Sequence, residues 1–530
     1  MHKSFLALTL LLASCFVFAQ QPNPAIDVQH YSFEIRLNDS NDIIKGKATI
    51  VVKFMQDAPS FMLDLVQKNA AGKGMIVTHV TEGEKEPGFV QDAQHIFISA
   101  PVKSAEVRTF SISYEGIPAD GLIISVNEFG HRTFFADNWP NRAHNWIPCN
   151  DHLSDKASVE FAVTAPDHYQ VVSNGLQTEE TNLPGHLKLT RWQETAALPT
   201  KVMVIGVADF AVNYAGSVEC IPVYSWVYPE SRDTGFVSYA QAKNILPFFI
   251  SHVGPYAYKK LANVQSKTIF GGMENASAIF YFEQSVGDKA LEALLAHEIA
   301  HQWFGNTATE KNWQHLWLSE GFATYMTHLY HEHKYGRDSL NKRMAEDRQT
   351  VIKFSKKKNT PVVDTTFGDN MMQLLNANSY QKGGWVLHML RRKLGDSIFW
   401  KGIREYYAAY AGKNASTEDL QKVFEKASGQ NLETFFKQWL YTPGQPQLDI
   451  EWKYNAAKKQ VSVTVTQLQE ALFEFPLQMS VVDGRISPVE TFNIKNRVTQ
   501  FQIRVSEKPA ALNVDPEVNL LFEAVVTEKK

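Results

Sequence analysis

The sequence predicts a multidomain α+β protein with a β-sandwich-like N-terminal domain, a mainly α-helical middle domain and a small C-terminal β-sandwich. Its 530 residues exceed what one hydrophobic core usually organises, so several domains are expected. Apolar residues alternate with polar ones to about residue 212, recur at helical spacing to about residue 441, and then alternate again. This order predicts strands, then helices, then strands.

Residues 1–19 predict a signal peptide. Lys3 gives the N-terminus a positive charge, and residues 5–18 are almost entirely apolar. Val17 and Ala19 occupy the −3 and −1 positions of a signal-peptidase cleavage site. Cleavage there leaves Gln20 as the first residue. We therefore expect an exported protein, either periplasmic or secreted.

A second route of processing would use Cys15. The segment Leu-Ala-Ser-Cys at 12–15 matches the pattern that precedes a lipid-modified cysteine. The apolar run continues past Cys15 through Phe18, which favours simple cleavage and leaves lipid anchoring as the alternative. No later segment is long and apolar enough to predict a transmembrane helix.

Composition and charge exclude some classes of partner. Hydrophobic residues make up 44% of the chain and charged residues 20%, as in ordinary soluble proteins. The formal net charge of -4 gives no electrostatic case for binding nucleic acid or an anionic membrane surface. Cys149 and Cys220 could pair in an oxidising compartment or stay as free thiols. The sequence leaves that choice and the oligomeric state open.

The predicted N-terminal domain covers residues 20–214. Runs at 31–37, 48–54, 110–114 and 187–192 alternate apolar and polar side chains, as half-buried strands do. Turn-forming residues separate these runs, among them Ser-Asn-Gly at 173–175.

The predicted middle domain covers residues 215–444. Apolar residues recur at helical spacing over 235–258, 289–304, 318–335, 416–429 and 432–440. Asp288 is expected as the N-cap of the helix over 289–304, which Gly305 and Asn306 should end. Gly336 should end the helix over 318–335.

The predicted C-terminal domain covers residues 445–530. The segment Thr-Pro-Gly-Gln-Pro at 442–446 interrupts the helical pattern and predicts a boundary. After it, alternation returns over 448–453, 461–467 and 499–505, which predicts the strands of a small β-sandwich.

The helix predicted over 289–304 carries the pattern His297-Glu298-Ile299-Ala300-His301. Because an α-helix has 3.6 residues per turn, positions 297 and 301 lie on one face, about 40° apart, and both imidazoles can reach one metal ion. Glu298 is turned by about 100° from His297. It can therefore reach a water molecule beside the metal, as a general base must.

Glu320 is the candidate for a third metal ligand. Two histidines leave a zinc site one protein ligand short, and Glu320 follows His301 with 18 residues between them. Two histidines and one glutamate leave the fourth zinc position open, which is typical of catalytic sites. The competing interpretation, two ordinary histidines on an amphipathic helix, is disfavoured by a glutamate at this spacing.

Upstream lies Gly271-Gly272-Met273-Glu274-Asn275. Two glycines allow close backbone approach, as on an edge strand that pairs with a peptide, and Glu274 could hold a positive charge. Adjacent glycines are also common in plain turns. From these residues alone, the turn is the favoured interpretation.

Together these motifs resemble those of the M1 (gluzincin) family of zinc aminopeptidases, which includes aminopeptidase N and leukotriene A4 hydrolase. The resemblance rests on residues 271–275, 297–301 and Glu320, and extends from about residue 30 to 445. It implies a thermolysin-like catalytic domain over 215–444, one Zn²⁺ per chain, and peptide substrates with a free N-terminus.

The resemblance also implies roles for single residues. His297, His301 and Glu320 would bind zinc, and Glu298 would be the catalytic base. Tyr380 matches the family tyrosine that stabilises negative charge developing on the scissile carbonyl. Glu274 would bind the substrate α-amino group, and the glycines would pair with the substrate backbone, within a substrate-binding segment formed by Gly271, Gly272, Met273, Glu274 and Asn275.

Two departures from the family pattern stand out. Family members usually place a second amine-binding Gln or Glu about ten residues before the Pro-Cys pair at 148–149. Trp139 stands there in this chain, and Asp137 and Asn138 are the candidates to substitute. In addition, the chain ends after the small β-domain, without the long helical C-terminal domain of larger members, so we expect a more open active site.

Two other functions compete with the aminopeptidase. One is a zinc endopeptidase that uses the same chemistry without requiring a free N-terminus, and Glu274 argues against it. The other is a catalytically inactive exported binding protein, and the presence of Glu298, Tyr380 and the three ligands argues against that.

Overall fold

The computed structural model describes residues 23–368, 370–482 and 487–529. The predicted signal peptide and Cys15 lie outside these residues. Within them, a β-rich N-terminal domain is followed by a helical domain and then by a C-terminal set of strands. The fold class predicted from the sequence is therefore confirmed.

Fourteen strands form the N-terminal domain: β1 (Ile26–Arg36), β2 (Ile44–Phe54), β3 (Phe61–Asp64), β4 (Gly74–Thr81), β5 (Phe89–Gln91), β6 (His95–Ile98), β7 (Val107–Ile117), β8 (Leu122–Val126), β9 (Arg132–Ala136), β10 (Ala157–Pro166), β11 (Gln170–Ser173), β12 (Leu176–Leu183), β13 (Leu187–Leu198) and β14 (Ile205–Ala208). They build a seven-stranded sheet (β12-β13-β10-β1-β2-β7-β4), a four-stranded sheet (β11-β14-β9-β8) and a three-stranded sheet (β3-β6-β5). These three sheets share one hydrophobic core.

Strand β1 illustrates why these segments form sheets. Tyr31, Phe33 and Ile35 are buried, whereas the residues between them are exposed or half-buried, as the alternation predicted. Phe33 lies beside Ala48 of β2 and Phe161 of β10, and its ring stacks on Phe161 at 5.2 Å. The strands predicted over 48–54, 110–114 and 187–192 lie within β2, β7 and β13.

Among its described residues, the middle domain contains seven strands and nine α-helices, besides shorter 3₁₀- and π-helical turns. Its strands are β15 (Ala211–Val218), β16 (Ile221–Val227), β17 (Leu261–Ser266), β18 (Gly272–Met273), β19 (Ala278–Phe282), β20 (Ala308–Glu310) and β21 (Lys413–Ala415). Its helices are α1 (Arg232–Tyr239), α2 (Ala242–His252), α3 (Leu291–His301), α4 (Trp317–Tyr335), α5 (Arg337–Ser355), α6 (Gly383–Leu394), α7 (Asp396–Tyr410), α8 (Thr417–Ser428) and α9 (Glu433–Phe436). The five-stranded sheet β15-β16-β17-β19-β18 forms one wall of this domain.

The helix predicted over 289–304 is α3, but its start differs from the prediction. The N-cap position is Ala290 rather than Asp288, and the Asp288 carboxylate accepts a hydrogen bond from the Ala290 backbone N–H at 2.7 Å. Asp288 therefore shapes the turn before the helix. Gly305, with a positive φ of 115°, follows the helix end as expected, and Gly336 with φ 85° ends α4.

The N-terminal and middle domains are tied by two lysines. Lys201 makes a buried ion pair with Glu310 at 2.6 Å. The Lys156 ammonium donates to the carbonyls of Asn306, Thr307 and Lys413, at 3.2, 2.8 and 3.1 Å. Because these carbonyls follow α3 and α7, the ties fix the N-terminal domain against the helices.

The predicted boundary between residues 214 and 215 falls inside β15, which pairs with β16 in the middle-domain sheet. After the break at 442–446, seven strands form sheets of four (β26-β23-β22-β28) and three (β25-β24-β27): β22 (Gln447–Asn455), β23 (Gln460–Gln467), β24 (Phe475–Val482), β25 (Glu490–Ile494), β26 (Val498–Arg504), β27 (Ala511–Val514) and β28 (Glu523–Glu528). Cys149 is buried, Cys220 is exposed, and both are free thiols.

Candidate metal centre

Three side chains from two adjacent helices converge on one point. His297 and His301 lie one turn apart on α3, and Glu320 lies in the first turn of α4. The two Nε2 atoms are 3.1 Å apart. The Oε2 atom of Glu320 lies 3.4 Å from the Nε2 of His297 and 3.3 Å from that of His301.

The distances within this triangle of three ligand atoms match those around a tetrahedrally coordinated metal ion. Bonds of roughly 2.0–2.1 Å to a tetrahedral zinc ion place its ligand atoms about 3.3–3.4 Å apart. The observed separations of 3.1–3.4 Å match. Two imidazoles and a carboxylate also form the donor set of catalytic zinc sites, so the residues present fit a zinc ion.

His301 is oriented by a second set of contacts. Its Nδ1 lies 3.0 Å from the carbonyl oxygen of Phe304 and 3.0 Å from the hydroxyl of Ser319. A proton on Nδ1 can be donated to the carbonyl, which leaves the lone pair of Nε2 facing the metal position. Such contacts fix the tautomer of a metal-binding histidine.

The charges at the site also favour a cation. Burial works to raise the pKa of the Glu320 carboxyl, but the two histidines outweigh it and hold that pKa below its ordinary value. Burial works to lower the pKa of His301, but the carboxylates of Glu320 and Glu274 raise it to about 10. Carboxylates thus dominate the site, and their negative charge is the complement of a divalent metal.

Glu298 is buried beside the triangle. One of its oxygens, one oxygen of Glu274 and a ring nitrogen of His301 lie within 4.8 Å of one another. Burial raises the pKa of the Glu298 carboxyl well above its ordinary value. Its position beside the metal-binding triangle is the one that a general base requires.

Gly272 lies directly against Glu298. A Cβ at this position would stand 2.3 Å from Oε1 and 2.5 Å from Cδ of Glu298, so any larger residue would displace the Glu298 carboxylate. At Gly271, by contrast, a Cβ would meet no described atom within 4 Å. The first glycine of the pair therefore faces open space, and the second makes room for Glu298.

The two-glycine segment is strand rather than plain turn. Gly272–Met273 forms β18, which pairs antiparallel with β19 at the edge of the five-stranded sheet. An edge strand presents unpaired backbone groups to a peptide. The interpretation that the residues alone disfavoured is the one that the structure adopts.

Glu274 is held in place by its backbone. Its carbonyl oxygen accepts hydrogen bonds from Gln302 Nε2 at 2.9 Å and from Asn306 Nδ2 at 2.6 Å. Its carboxylate is buried, which raises its pKa, and no described group donates a hydrogen bond to Oε1. Burying a carboxylate oxygen without a hydrogen-bond donor destabilises the folded protein, unless a ligand supplies the donor.

Tyr380 reaches the site because two helices approach closely. It lies in the π-helical turn Asn378–Lys382, just before α6. A Cβ on Gly321 of α4 would lie 2.8 Å from the Cα of Gly383, so this pair of glycines lets α4 and α6 touch. The Tyr380 ring stacks on His297 with a centroid distance of 6.0 Å. Burial raises the pKa of its phenol, which therefore stays protonated.

All predicted site residues except Asn275 line one cavity of about 250 Å³. The Asn275 side chain is fully buried and does not face this cavity. Four further residues complete the lining: Trp139, Phe270, Leu294 and Leu375. Of these four, the sequence singled out only Trp139, as the residue at the position of the family's second amine-binding Gln or Glu. The other three apolar side chains belong to no chemical motif.

Neither Asp137 nor Asn138 is free to bind an amine. The Asp137 carboxylate accepts hydrogen bonds from Arg142, Thr268 and the Ile269 backbone. The Asn138 amide donates to two backbone carbonyls and accepts from the Trp146 indole. Both side chains are completely buried, and Trp139 faces the cavity instead.

Gln302, Asn306 and Ser319 are functional residues that sequence reasoning missed. Each lies within a few residues of a metal ligand, and each contacts either Glu274 or His301. Their position in the motifs was a usable signal. Their partners could not be derived, because the contact with Glu274 joins segments 28 and 32 residues apart.

Comparison with known proteins agrees with this geometry. The family model described as "Peptidase M1 N-terminal domain" matches residues 27–202. The model described as "Peptidase family M1 domain" matches residues 238–439. Between them, the two matches include most of the chain and every residue of the candidate site.

The chain is similar to "Probable aminopeptidase 2" of Sulfurisphaera tokodaii, with 27% identity across 92% of this chain and 63% of that protein. It is also 25% identical to "Glutamyl aminopeptidase" of Rattus norvegicus, across 81% of this chain and 48% of that protein. The chain thus spans less than two thirds of the length of these relatives.

Among solved structures, the fold is similar to that of an M1 zinc metallopeptidase E323A mutant from Deinococcus radiodurans. The TM-score is 0.71 at 23% sequence identity, over 81% of this chain and 97% of that chain. Within the part of the chain that the structure describes, no helix has the length and apolar character required to span a bilayer.

Proposed function

This chain belongs to peptidase family M1, and from that premise we propose that it is a zinc-dependent aminopeptidase. It would remove the first amino acid from peptides that have a free N-terminus. The proposal rests on two features that line the same cavity. One is the metal-binding triangle with Glu298 beside it, and the other is the buried Glu274 carboxylate, whose Oε1 has no hydrogen-bond donor among the described residues.

His297, His301 and Glu320 would hold a zinc ion, which would supply Lewis acidity that polarises a carbonyl and acidifies water. Glu298 would take the proton from the attacking water and deliver it to the departing amine. Its packing against Gly272 holds the carboxylate in one place for both transfers.

Tyr380 is proposed to stabilise the charge that develops on the scissile carbonyl oxygen. Its phenol stacks beside His297 and stays protonated because burial raises its pKa. It can therefore donate a hydrogen bond to that oxygen. A donor placed in advance is worth more in a water-poor cavity than in solvent.

Glu274 is proposed to determine which peptide bond is cleaved, by binding the α-amino group of the substrate. The α-ammonium of a peptide supplies the donor that Oε1 lacks among the described residues. Backbone groups of Gly271 and the edge strand β18 would align the chain. With the amine held there, only the first peptide bond reaches the metal triangle.

The second candidate is a zinc endopeptidase. The exposed edge strand β18 is the observation that favours it, because an edge strand can bind any extended peptide. The two activities differ in one requirement. An aminopeptidase needs the free amine, and an endopeptidase does not.

We expect free Leu-Gly-Gly to be cleaved and N-acetyl-Leu-Gly-Gly to resist cleavage. Replacing Glu274 by Gln should raise KM for the free peptide by roughly 10- to 150-fold, because a hydrogen bond to a charged group contributes about 1.5–3 kcal/mol. Peptide cleavage followed by mass spectrometry measures both. Equal cleavage of the acetylated peptide would favour the endopeptidase, and absence of any cleavage by zinc-loaded protein would favour an inactive binding protein.

Export is also a proposal. Lys3, the apolar residues 5–18 and the small residues Val17 and Ala19 support a signal peptide and a periplasmic or secreted protein. N-terminal sequencing of the mature protein should begin at Gln20. A lipid-modified Cys15 at the mature N-terminus would instead indicate anchoring.

A further inference from the structure

Five apolar cavity-lining side chains have no role in the proposed chemistry. These are the side chains of Trp139, Phe270, Met273, Leu294 and Leu375. We propose that Trp139 determines specificity, by forming the wall against which an apolar first residue of the substrate packs. This inference rests on the proposed aminopeptidase function and names the class of substrate that the site selects.

Trp139 is a rigid wall rather than a mobile side chain. It is 2% exposed and meets the rings of Phe270 and Trp313 edge-on, at centroid distances of 5.7 and 5.5 Å. Its backbone carbonyl accepts a hydrogen bond from Arg142 Nε at 2.8 Å. Edge-to-face packing on two sides fixes the orientation of the indole.

Asp137 fastens this wall to the substrate-binding segment. Its carboxylate accepts hydrogen bonds from the Ile269 backbone N–H at 3.0 Å and from the Thr268 hydroxyl at 3.1 Å. These residues lead directly into Phe270 and Gly271. Trp139 of the N-terminal domain is therefore held in a fixed relation to the strand on which the substrate would lie.

The charges in the cavity oppose an acidic first residue. Its ionisable lining groups include three buried glutamates, Glu274, Glu298 and Glu320, and no lysine or arginine is found among the described lining residues. A substrate aspartate or glutamate would lose its hydration beside these glutamates without gaining a lysine or arginine partner among the described lining residues. An apolar side chain would instead exchange water for the rings of Trp139 and Phe270.

Size also matters in this cavity. Its volume of about 250 Å³ is below the range of roughly 300–1,000 Å³ that is usual for small-molecule sites. Each methylene that fits an apolar pocket changes kcat/KM by roughly 10- to 200-fold. Leucine has three more carbon atoms than alanine, so it should be favoured over alanine by at least about tenfold, and this preference should depend on Trp139.

The test uses the full-length zinc-loaded enzyme with alanyl, leucyl, phenylalanyl and glutamyl arylamides. In Trp139→Ala, the leucine-to-alanine ratio of kcat/KM should fall at least about tenfold. Alanine turnover should change little, because a methyl group does not reach the wall. Trp139→Phe keeps an aromatic ring in contact with Phe270 but enlarges the pocket. The kcat/KM of the phenylalanyl arylamide should therefore rise relative to that of the leucyl arylamide. Trp452→Phe changes a buried tryptophan of strand β22 in the C-terminal domain, outside the cavity lining, and should keep the wild-type ratio.

A binding experiment separates this inference from the proposed function. Calorimetry with a Glu298→Gln background measures binding of Leu-Gly-Gly, Ala-Gly-Gly and Glu-Gly-Gly without turnover. The expected order is leucine first and glutamate last, with the leucine advantage lost on adding Trp139→Ala. Turnover without any Trp139 dependence of the ratio overturns the inference alone. The expected binding order without turnover in the wild type overturns the proposed function alone.

Two further outcomes would overturn the role of Trp139. One is an equal fall in kcat/KM for the alanyl and leucyl arylamides in Trp139→Ala, which would indicate a structural or amine-binding role. The other is a wild-type preference for glutamyl arylamide. Zinc content and Tm of every variant are measured alongside, and Trp139→Phe carries the test should Trp139→Ala not fold.

Discussion

Replacing Glu298 by Gln is expected to lower kcat by roughly 10²- to 10⁴-fold, the contribution typical of a positioned general base. Glutamine has nearly the same shape, so it still packs against Gly272, but it cannot take a proton from water. KM should change little, because Glu298 does not hold the substrate amine. Steady-state kinetics with leucyl arylamide measures both constants.

The companion variant Gly272→Ala tests the same carboxylate without removing it. The new Cβ would stand 2.3 Å from Oε1 of Glu298, so the carboxylate must move. A displacement of about 1 Å can cost roughly 10²-fold in rate. Both variants should keep native zinc content. Wild-type kcat in Glu298→Gln, with zinc retained, would remove Glu298 from the mechanism.

Replacing Glu320 by Gln is expected to release zinc and abolish activity together. The carboxylate supplies one of three protein ligands and the negative charge that balances the ion. Changes in the surroundings of metal ligands already cost roughly 10- to 100-fold in affinity, so loss of a ligand should cost more. A fluorescent zinc chelator in competition measures the affinity directly.

Glu346 provides a matched control for this charge change. It lies exposed on the adjacent helix α5, so Glu346→Gln removes the same charge at a distance from the cavity. That variant should bind zinc and hydrolyse substrate as the wild type does. If Glu320→Gln bound zinc with wild-type affinity, the proposed ligand set would be wrong.

The order of the domains could be read from periodicity, because half-buried strands and amphipathic helices leave different patterns. Strand β1 alternates as predicted, and α4 ends at Gly336 as predicted. The helix start at Leu291 was missed, because Asp288 hydrogen-bonds the Ala290 N–H in the preceding turn rather than capping the helix. Element ends depend on such local contacts.

The spacing of residues indicated His297, His301, Glu298 and Glu320, whereas Tyr380 and the role of Glu274 were implied only by the family resemblance. The face shared by His297 and His301 follows from helical geometry, and the structure places Glu320 and Glu298 beside them. The roles of Gly272 and Trp139 could not be predicted from residue type. They depend on contacts between segments that are far apart in sequence. Glu298 packs against Gly272, and the ring of Trp139 packs edge-on against that of Phe270.

The most direct test of the central claim is a zinc titration of the metal-free enzyme, with bound metal and hydrolysis of leucyl arylamide measured in the same samples. The chain is first stripped with a chelator and checked for retained fold by circular dichroism. We predict that activity rises linearly and reaches its plateau at one zinc per chain. Full activity in metal-free protein, or a plateau of bound zinc that leaves leucyl arylamide intact, would contradict the account.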